Sequence, residues 1–247
     1  MTTITNPHAI LNGYYIEFPT KRYIDSNFNI NITNADENAL GNPRFLTKPK
    51  SGTAFSMIPD LVGFDVPVLV KSPCSENKGT VVILGQDALR DSDDPLLNGI
   101  NTNTHIVVGL PYAIAFDKDY KQVADYHNLI KAILDGGYDV YLTDIWKSWD
   151  KDHKSRLGRW SKKNPHANTL LDELNTINAD FVILMGNEAK NRYASIKPST
   201  PPVQIHIPHL SPANNGTWAK ILGSKPITFQ NKIGHIRKEC NKQGLVF

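Results

Sequence analysis

The sequence predicts an α/β protein in three layers, α/β/α, with helices on both faces of a central parallel sheet of four to five strands. Two observations predict it. Continuous β-branched runs recur along the chain, each ending at Gly, Asp or a polar loop, as strands buried on both faces do. Stretches with helical periodicity fall between them, the alternation that gives parallel strands joined by crossover helices. At 247 residues and 40% hydrophobic side chains, the chain can bury one core. A single domain over residues 1–247 is expected, with residues 80–222 as its motif-bearing part.

Residues 1–79, rich in Asn, Pro and Thr, show no sustained helical period and read as an irregular N-terminal extension packed on that domain. Within them, Pro67-Val68-Leu69-Val70-Lys71 is a candidate edge strand. The first core strand is Thr80-Val81-Val82-Ile83-Leu84, ending at Gly85, and the second is His105-Ile106-Val107-Val108. Tyr120, Val123, Ala124, His127, Ile130 and Leu134 form an i, i+3, i+4, i+7 stripe that Gly136-Gly137 stops. Val140-Tyr141-Leu142-Thr143 is the next strand. A second stripe follows in Leu170, Leu171, Leu174 and Ile177, with Thr169 and Asp172 as a start signal. Phe181-Val182-Ile183-Leu184-Met185 and Val203-Gln204-Ile205-His206-Ile207 complete the strands, and a last helix over about 231–241 uses Ile233, Ile236 and Cys240.

Composition narrows the function classes. Lys and Arg number 27 against 24 Asp and Glu, so the formal charge is only +3 and implies nothing about a partner by itself. No apolar run reaches the roughly 20 residues of a membrane span. The first residues, Met-Thr-Thr-Ile-Thr-Asn-Pro-His, lack the basic start and apolar stretch of a signal peptide, so a cytoplasmic protein is expected. Two cysteines, Cys74 and Cys240, are too few for a disulfide scaffold, a cysteine zinc site or a four-cysteine iron–sulfur cluster.

In a parallel α/β sheet, ligands sit at the carboxyl ends of the strands. The residues there are Gly85-Gln86-Asp87, then Thr143-Asp144, then Gly186-Asn187-Glu188-Ala189, then His209-Leu210-Ser211-Pro212-Ala213-Asn214. Two carboxylates, a Gly-Asn turn and a histidine in this order carry more information than any of them alone. The set resembles the uracil-DNA glycosylase superfamily. Gly85-Gln86-Asp87 is similar to its Gly-Gln-Asp-Pro-Tyr motif, and His209-Leu210-Ser211-Pro212-Ala213 to its His-Pro-Ser-Pro-Leu motif. Gly109-Leu110-Pro111-Tyr112 looks like its Gly-Leu-x-Phe segment, and Leu184-Met185-Gly186-Asn187-Glu188-Ala189 like its phosphate-side Leu-x-Gly-x-x-Ala turn. The likeness spans about residues 80–222.

That resemblance implies a monomeric, hydrolytic enzyme that needs no cofactor or metal, binds double-stranded DNA and flips out one nucleotide. Asp87 would orient the attacking water and face the positive sugar. His209 would stabilise charge on the departing base. Gln86, Leu89, Tyr112 and Asp144 would contact the base, Tyr112 by stacking. Gly186, Asn187, Ser211 and Asn214 would contact DNA. His206 and His209 also form a His-x-x-His spacing, but strand alternation and the lack of a third ligand argue against zinc. Lys147 lies near enough to a strand end to keep a Schiff-base nucleophile open.

Three departures from the family bear on substrate. Leu89 replaces the Tyr that crowds the base C5 position, so the wall against a C5 substituent is altered. Asp144 replaces the Asn that reads uracil; a carboxylate only accepts, and it matches the N4 amine of cytosine. Reversing that hydrogen bond favours cytosine by about 1–3 kcal/mol. Ordinary cytosine cannot be the target of a tolerable enzyme, so the expectation is a 5-modified cytosine, hydroxymethyl or glucosyl-hydroxymethyl, of the kind that masks some phage DNA. Ala213 stands where the family places an intercalating Leu, leaving Asn214, Asn215 or Trp218 as wedge.

Residues 147–166 hold seven basic residues, Lys147, Lys151, Lys154, Arg156, Arg159, Lys162 and Lys163, against Asp150 and Asp152. That local surplus exceeds the +3 of the whole chain. With Trp146, Trp149 and Trp160 interleaved, Lys147, Lys154, Arg156, Arg159, Lys162 and Lys163 read as DNA contacts. An ordinary uracil-DNA glycosylase and a catalytically inactive DNA-binding member are the two other readings of the same residues.

Overall fold

The computed structural model describes residues 4–5, 15–17, 44–53, 61–65, 67–87, 106–109, 120–150 and 167–247. In chain order the strands are β1 (Ile4–Thr5), β2 (Tyr15–Glu17), β3 (Arg44–Thr47), β4 (Leu61–Asp65), β5 (Val68–Val70), β6 (Thr80–Asp87), β7 (Ile106–Gly109), β8 (Asp139–Trp146), β9 (Ser148–Asp150), β10 (Phe181–Met185) and β11 (Val203–Ile207). The helices are α1 (Tyr120–Asp135), α2 (Ala167–Ile177), α3 (Gly186–Tyr193), α4 (Asn215–Leu222) and α5 (Phe229–Lys242).

The main sheet runs β1-β2-β5-β8-β6-β10-β11. Its four strands β8, β6, β10 and β11 are parallel, with Ile83 opposite Leu142 on one side and Ile183 on the other. These are the apolar, β-branched runs, and they alternate between two cores. Val81, Ile83, Val140, Leu142, Ile183 and Ile205 face Leu129, Ile130, Ile133 and Leu134 of α1 and Ile233 and Ile236 of α5. Val82, Leu84, Tyr141, Val182 and Leu184 face Leu170 and Leu174 of α2 and Ala189 and Tyr193 of α3. The sheet is thus covered on both faces, as the run composition requires. Gly136 and Gly137 close α1 by donating to the Ala132 and Leu134 carbonyls at 3.1 and 3.0 Å. Thr228 caps α5, its hydroxyl accepting from the Asn231 N–H at 3.3 Å.

Three features differ from the sequence expectation. Val68–Val70 does not form an edge: β5 lies inside the sheet, antiparallel to both β8 and β2. The N-terminal region is not simply irregular, because it supplies β1 to β5; these strands are two to five residues long, too short for a period of two to emerge from a Pro- and Asn-rich background. Finally, β7 does not join the parallel sheet. It pairs antiparallel with β3 and parallel with β4 in a smaller sheet ordered β3-β7-β4-β9. An apolar run signals a strand but not its partner. This small sheet adjoins the carboxyl end of the main one, since only Lys147 separates β8 from β9.

Polar side chains fasten the opposite, amino end. Asp139, 2% exposed, accepts from Lys71, from the Ser72 N–H at 2.8 Å and from Asn77 Nδ2 at 2.9 Å. Asp180 accepts from the Thr80 N–H at 2.8 Å. From β6 the chain crosses to β8 on one side, and from β10 to β11 on the other. The crevice between β6 and β10 is therefore the switch point where such sheets bind ligands.

His127 is buried on the inward stripe of α1, and burial lowers its pKa from the ordinary 6.5 to about 4. Above about 6.5 the imidazole is neutral in both folded and unfolded chains. Below it, the unfolded chain takes up the proton first, so stability falls between about pH 6.5 and 4, by up to about 1.4 kcal/mol per pH unit, and then levels off. Urea denaturation at pH 7 and pH 4.5 should show His127→Leu losing less stability than the wild type; equal losses would remove His127 as the cause.

Candidate active site

The carboxyl ends of β6 and β8 are locked in register, with Gly85 opposite Asp144 and Asp87 opposite Trp146. A Cβ at Gly85 would collide with Oδ1 of Asp144. Glycine is needed there because the carboxylate occupies the space a side chain would fill. Asp144 is half-buried and alternates onto the α1 face of the sheet, with Val140 and Leu142. Gln86, also half-buried, alternates onto the other face with Val82 and Leu84. The two side chains expected to read one base thus leave the sheet on opposite sides. Asp87 is the last residue of β6, one position beyond Gln86.

The ends of β10 and β11 continue the same edge of the sheet beside β6. Gly186 has φ +88°, which only glycine adopts without strain, and this turn starts α3 directly after β10. A Cβ on Gly186 would lie 3.5 Å from Cβ of His209, so the turn and the histidine loop touch. The His209 Nδ1 accepts a hydrogen bond from the Ser211 N–H at 3.1 Å. An Nδ1 occupied as acceptor puts the proton of the neutral imidazole on Nε2, which makes that atom a donor. Asn214 Nδ2 donates to Ser211 Oγ at 3.2 Å, and its N–H donates to the Ser211 carbonyl at 3.0 Å as Pro212–Asn214 makes a 3₁₀ turn into α4. Ser211 and Asn214 are therefore half-buried parts of the loop, whereas Asn187 is exposed at the start of α3.

His206, three residues before His209, hydrogen-bonds the Gly186 backbone. Burial first, and the Lys190 ammonium second, hold its imidazole below the usual histidine range against that bond. The first member of the His-x-x-His spacing is exposed and faces the Gly186 turn.

Lys147 is a correction. Its ammonium is not on a DNA-facing surface: the side chain is 1% exposed, pairs with Glu173 Oε2 of α2 at 2.7 Å and touches Thr143 Oγ1. The same arrangement removes it as a Schiff-base nucleophile. A surplus of basic neighbours suggested a surface, but Glu173 lies on the inward stripe of α2, beside Leu170 and Leu174, and draws the lysine in. Trp218 is a second correction. It is fully buried and cannot serve as the intercalating wedge, while Ala213 in the 3₁₀ turn and Asn215 at the start of α4 are exposed. Leu89, Tyr112, Lys154, Arg156, Arg159, Lys162 and Lys163 lie outside the described residues.

The carboxyl ends of four adjacent parallel strands thus carry the Gly85 to Asp87 strand end, the Asp144 carboxylate, the Gly186 turn and a histidine with a defined donor nitrogen. No family model and no curated protein matches the chain. Chemically the crevice offers a carboxylate as acceptor, an imidazole N–H as donor and a helix start that suits an anion.

Two variants test this geometry. Lys147→Met leaves Glu173 buried without its cation and should cost about 3–5 kcal/mol in urea denaturation, most of it recovered in Lys147→Met/Glu173→Leu. An unchanged midpoint for the single variant would contradict the buried pair. Gly85→Ala should cost about 1–3 kcal/mol by overpacking against Asp144, and Asp144→Ala should relieve it. A double-mutant cycle in which the two losses simply add would show that the carboxylate does not lie over Gly85.

Proposed function

We propose that this chain is a DNA glycosylase of the uracil-DNA glycosylase type, which hydrolyses the N-glycosidic bond of a flipped-out 5-modified cytosine and leaves an abasic site. The observation that carries the reading is the parallel alignment of four adjacent strand ends, with Asp144 over Gly85 and the His209 loop beside Gly186. Gly85, Gly186 and His209 are motif residues on which the family resemblance rests, and Asp144 stands where the family has Asn.

In this reading the glycosidic bond lengthens first, leaving positive charge on the sugar and negative charge on the base. Asp87, at the tip of β6, faces the sugar, orients the water that adds to C1′ and takes up its proton, while the base leaves as an anion that solvent protonates. The Nε2–H of His209 donates to the base O2 as charge develops there. With Nδ1 held by the Ser211 N–H, the imidazole acts while neutral and needs no prior protonation. Asp144 accepts from the cytosine N4 amine, and its place across Gly85 fixes the direction of that acceptor. The start of α3 at Gly186 and Asn187 offers backbone amides to a phosphate. The Ser211 hydroxyl accepts from Asn214, which leaves its own proton for a second phosphate. Phage DNA carrying hydroxymethylcytosine or its glucosylated form is the substrate that the Asp144 acceptor suits, together with the sequence change from the family Tyr to Leu89.

The deciding assay measures base release from matched duplexes carrying uracil, cytosine, hydroxymethylcytosine or glucosyl-hydroxymethylcytosine. Release of a modified cytosine, falling at least about a hundredfold in Asp87→Asn and in His209→Ala, is the expected result. Uracil as the sole product would identify an ordinary uracil-DNA glycosylase. Duplex binding without any abasic site would identify an inactive DNA-binding member.

A further inference from the structure

Trp218 was a candidate wedge, and its burial gives it a different task. Its indole N–H donates to the His209 carbonyl at 3.0 Å, nine residues back along the chain. The ring is itself gripped on two sides. Lys232 Nζ stands 5.9 Å over its centroid, and His235 meets it edge-on at 6.0 Å and 86°. Lys232 is buried and ion-paired with Asp125 of α1 at 2.6 Å, so the grip is anchored to two helices besides α4. His209 is then fixed in three ways: its carbonyl is held by Trp218, its Nδ1 by the Ser211 N–H, and its Cβ lies beside the Gly186 turn, where an added Cβ would stand 3.5 Å away.

The first two restraints are linked through the backbone. The His209 carbonyl belongs to the peptide that leads to Leu210 and then Ser211, so releasing it lets that peptide rotate and carries the Ser211 N–H away from Nδ1. We propose that Trp218 is a positioning residue for His209, holding the loop so that Nδ1 stays an acceptor and Nε2 a donor. This rests on the reading of His209 as the donor to the departing base. Trp218 touches no reacting atom; it acts through the histidine.

The test compares wild type with Trp218→Phe, which keeps an aromatic ring and removes the N–H. In ¹⁵N-labelled protein, the two ring nitrogens of His209 should be well separated in the wild type, as for a single tautomer, and their separation should shrink in Trp218→Phe. An unchanged His209 spectrum overturns the proposal. Base release should fall about tenfold in single-turnover conditions at unchanged duplex Kd. In a His209→Ala background the same substitution should cause no further loss, and a second tenfold loss there would overturn the proposal, because a merely structural role persists without the histidine. If the wild type releases no base at all, the glycosylase reading fails while the His209 spectrum still decides the positioning role. Should Trp218→Phe not fold, Lys232→Met must narrow the nitrogen separation in the same sense, and no change in that variant overturns the proposal.

Discussion

Strand β6 offers no open side between Val81 and Leu84: α1 covers one face, α2 and α3 the other, and β8 and β10 occupy its two edges. A strand enclosed on four sides can present chemistry only at its tip. The amino tip is occupied by structural bonds: the Thr80 N–H donates to Asp180, and the Gly79 and Thr80 carbonyls accept from the Asp139 and Asp180 N–H groups. What is left is the carboxyl tip, where crossovers depart in opposite directions and the neighbouring strand ends are drawn into reach of one another. The Gly85, Asp144, Gly186 and His209 grouping follows from that enclosure. Each of these residues belongs to a different strand end, and the parallel pairing of the strands brings the four ends side by side.

Much of this architecture was legible because the signals were strong and local. Three apolar runs buried on both faces, and the edge run Val203–Ile207 with only Ile205 and Ile207 buried, appear as strands, and the stripes ending at Gly136 and Ile177 appear as helices. That the residues following those runs lie side by side was legible for the same reason, since the position of a strand end is set by where the apolar run stops. What could not be read was anything decided by a distant partner. The sheet that β7 joins depends on β3 and β4, more than 40 residues earlier in the chain. The internal place of β5 depends on β2, a three-residue strand with no pattern of its own.

The same division runs through the side chains. His209 stands out in sequence, but the nitrogen that carries its proton is set by a backbone N–H two residues on, and its carbonyl is held by a tryptophan nine residues on. Lys147 looked like one more charge in a basic stretch until Glu173 supplied a counter-charge from another element. Charge counts register how many cations a segment contains; only packing decides which of them reach water.

The buried Lys147 has a mechanical consequence. It is the one residue between β8 of the large sheet and β9 of the small one, and its ammonium is bolted to α2 and to Thr143 of its own strand. The junction is therefore a weld and not a hinge. A close-packed interior transmits displacement instead of absorbing it, so any load taken up by the small sheet passes along β8 to Asp144, three residues away. The carboxylate at the crevice would register pressure on the outer sheet as a change in its own alignment.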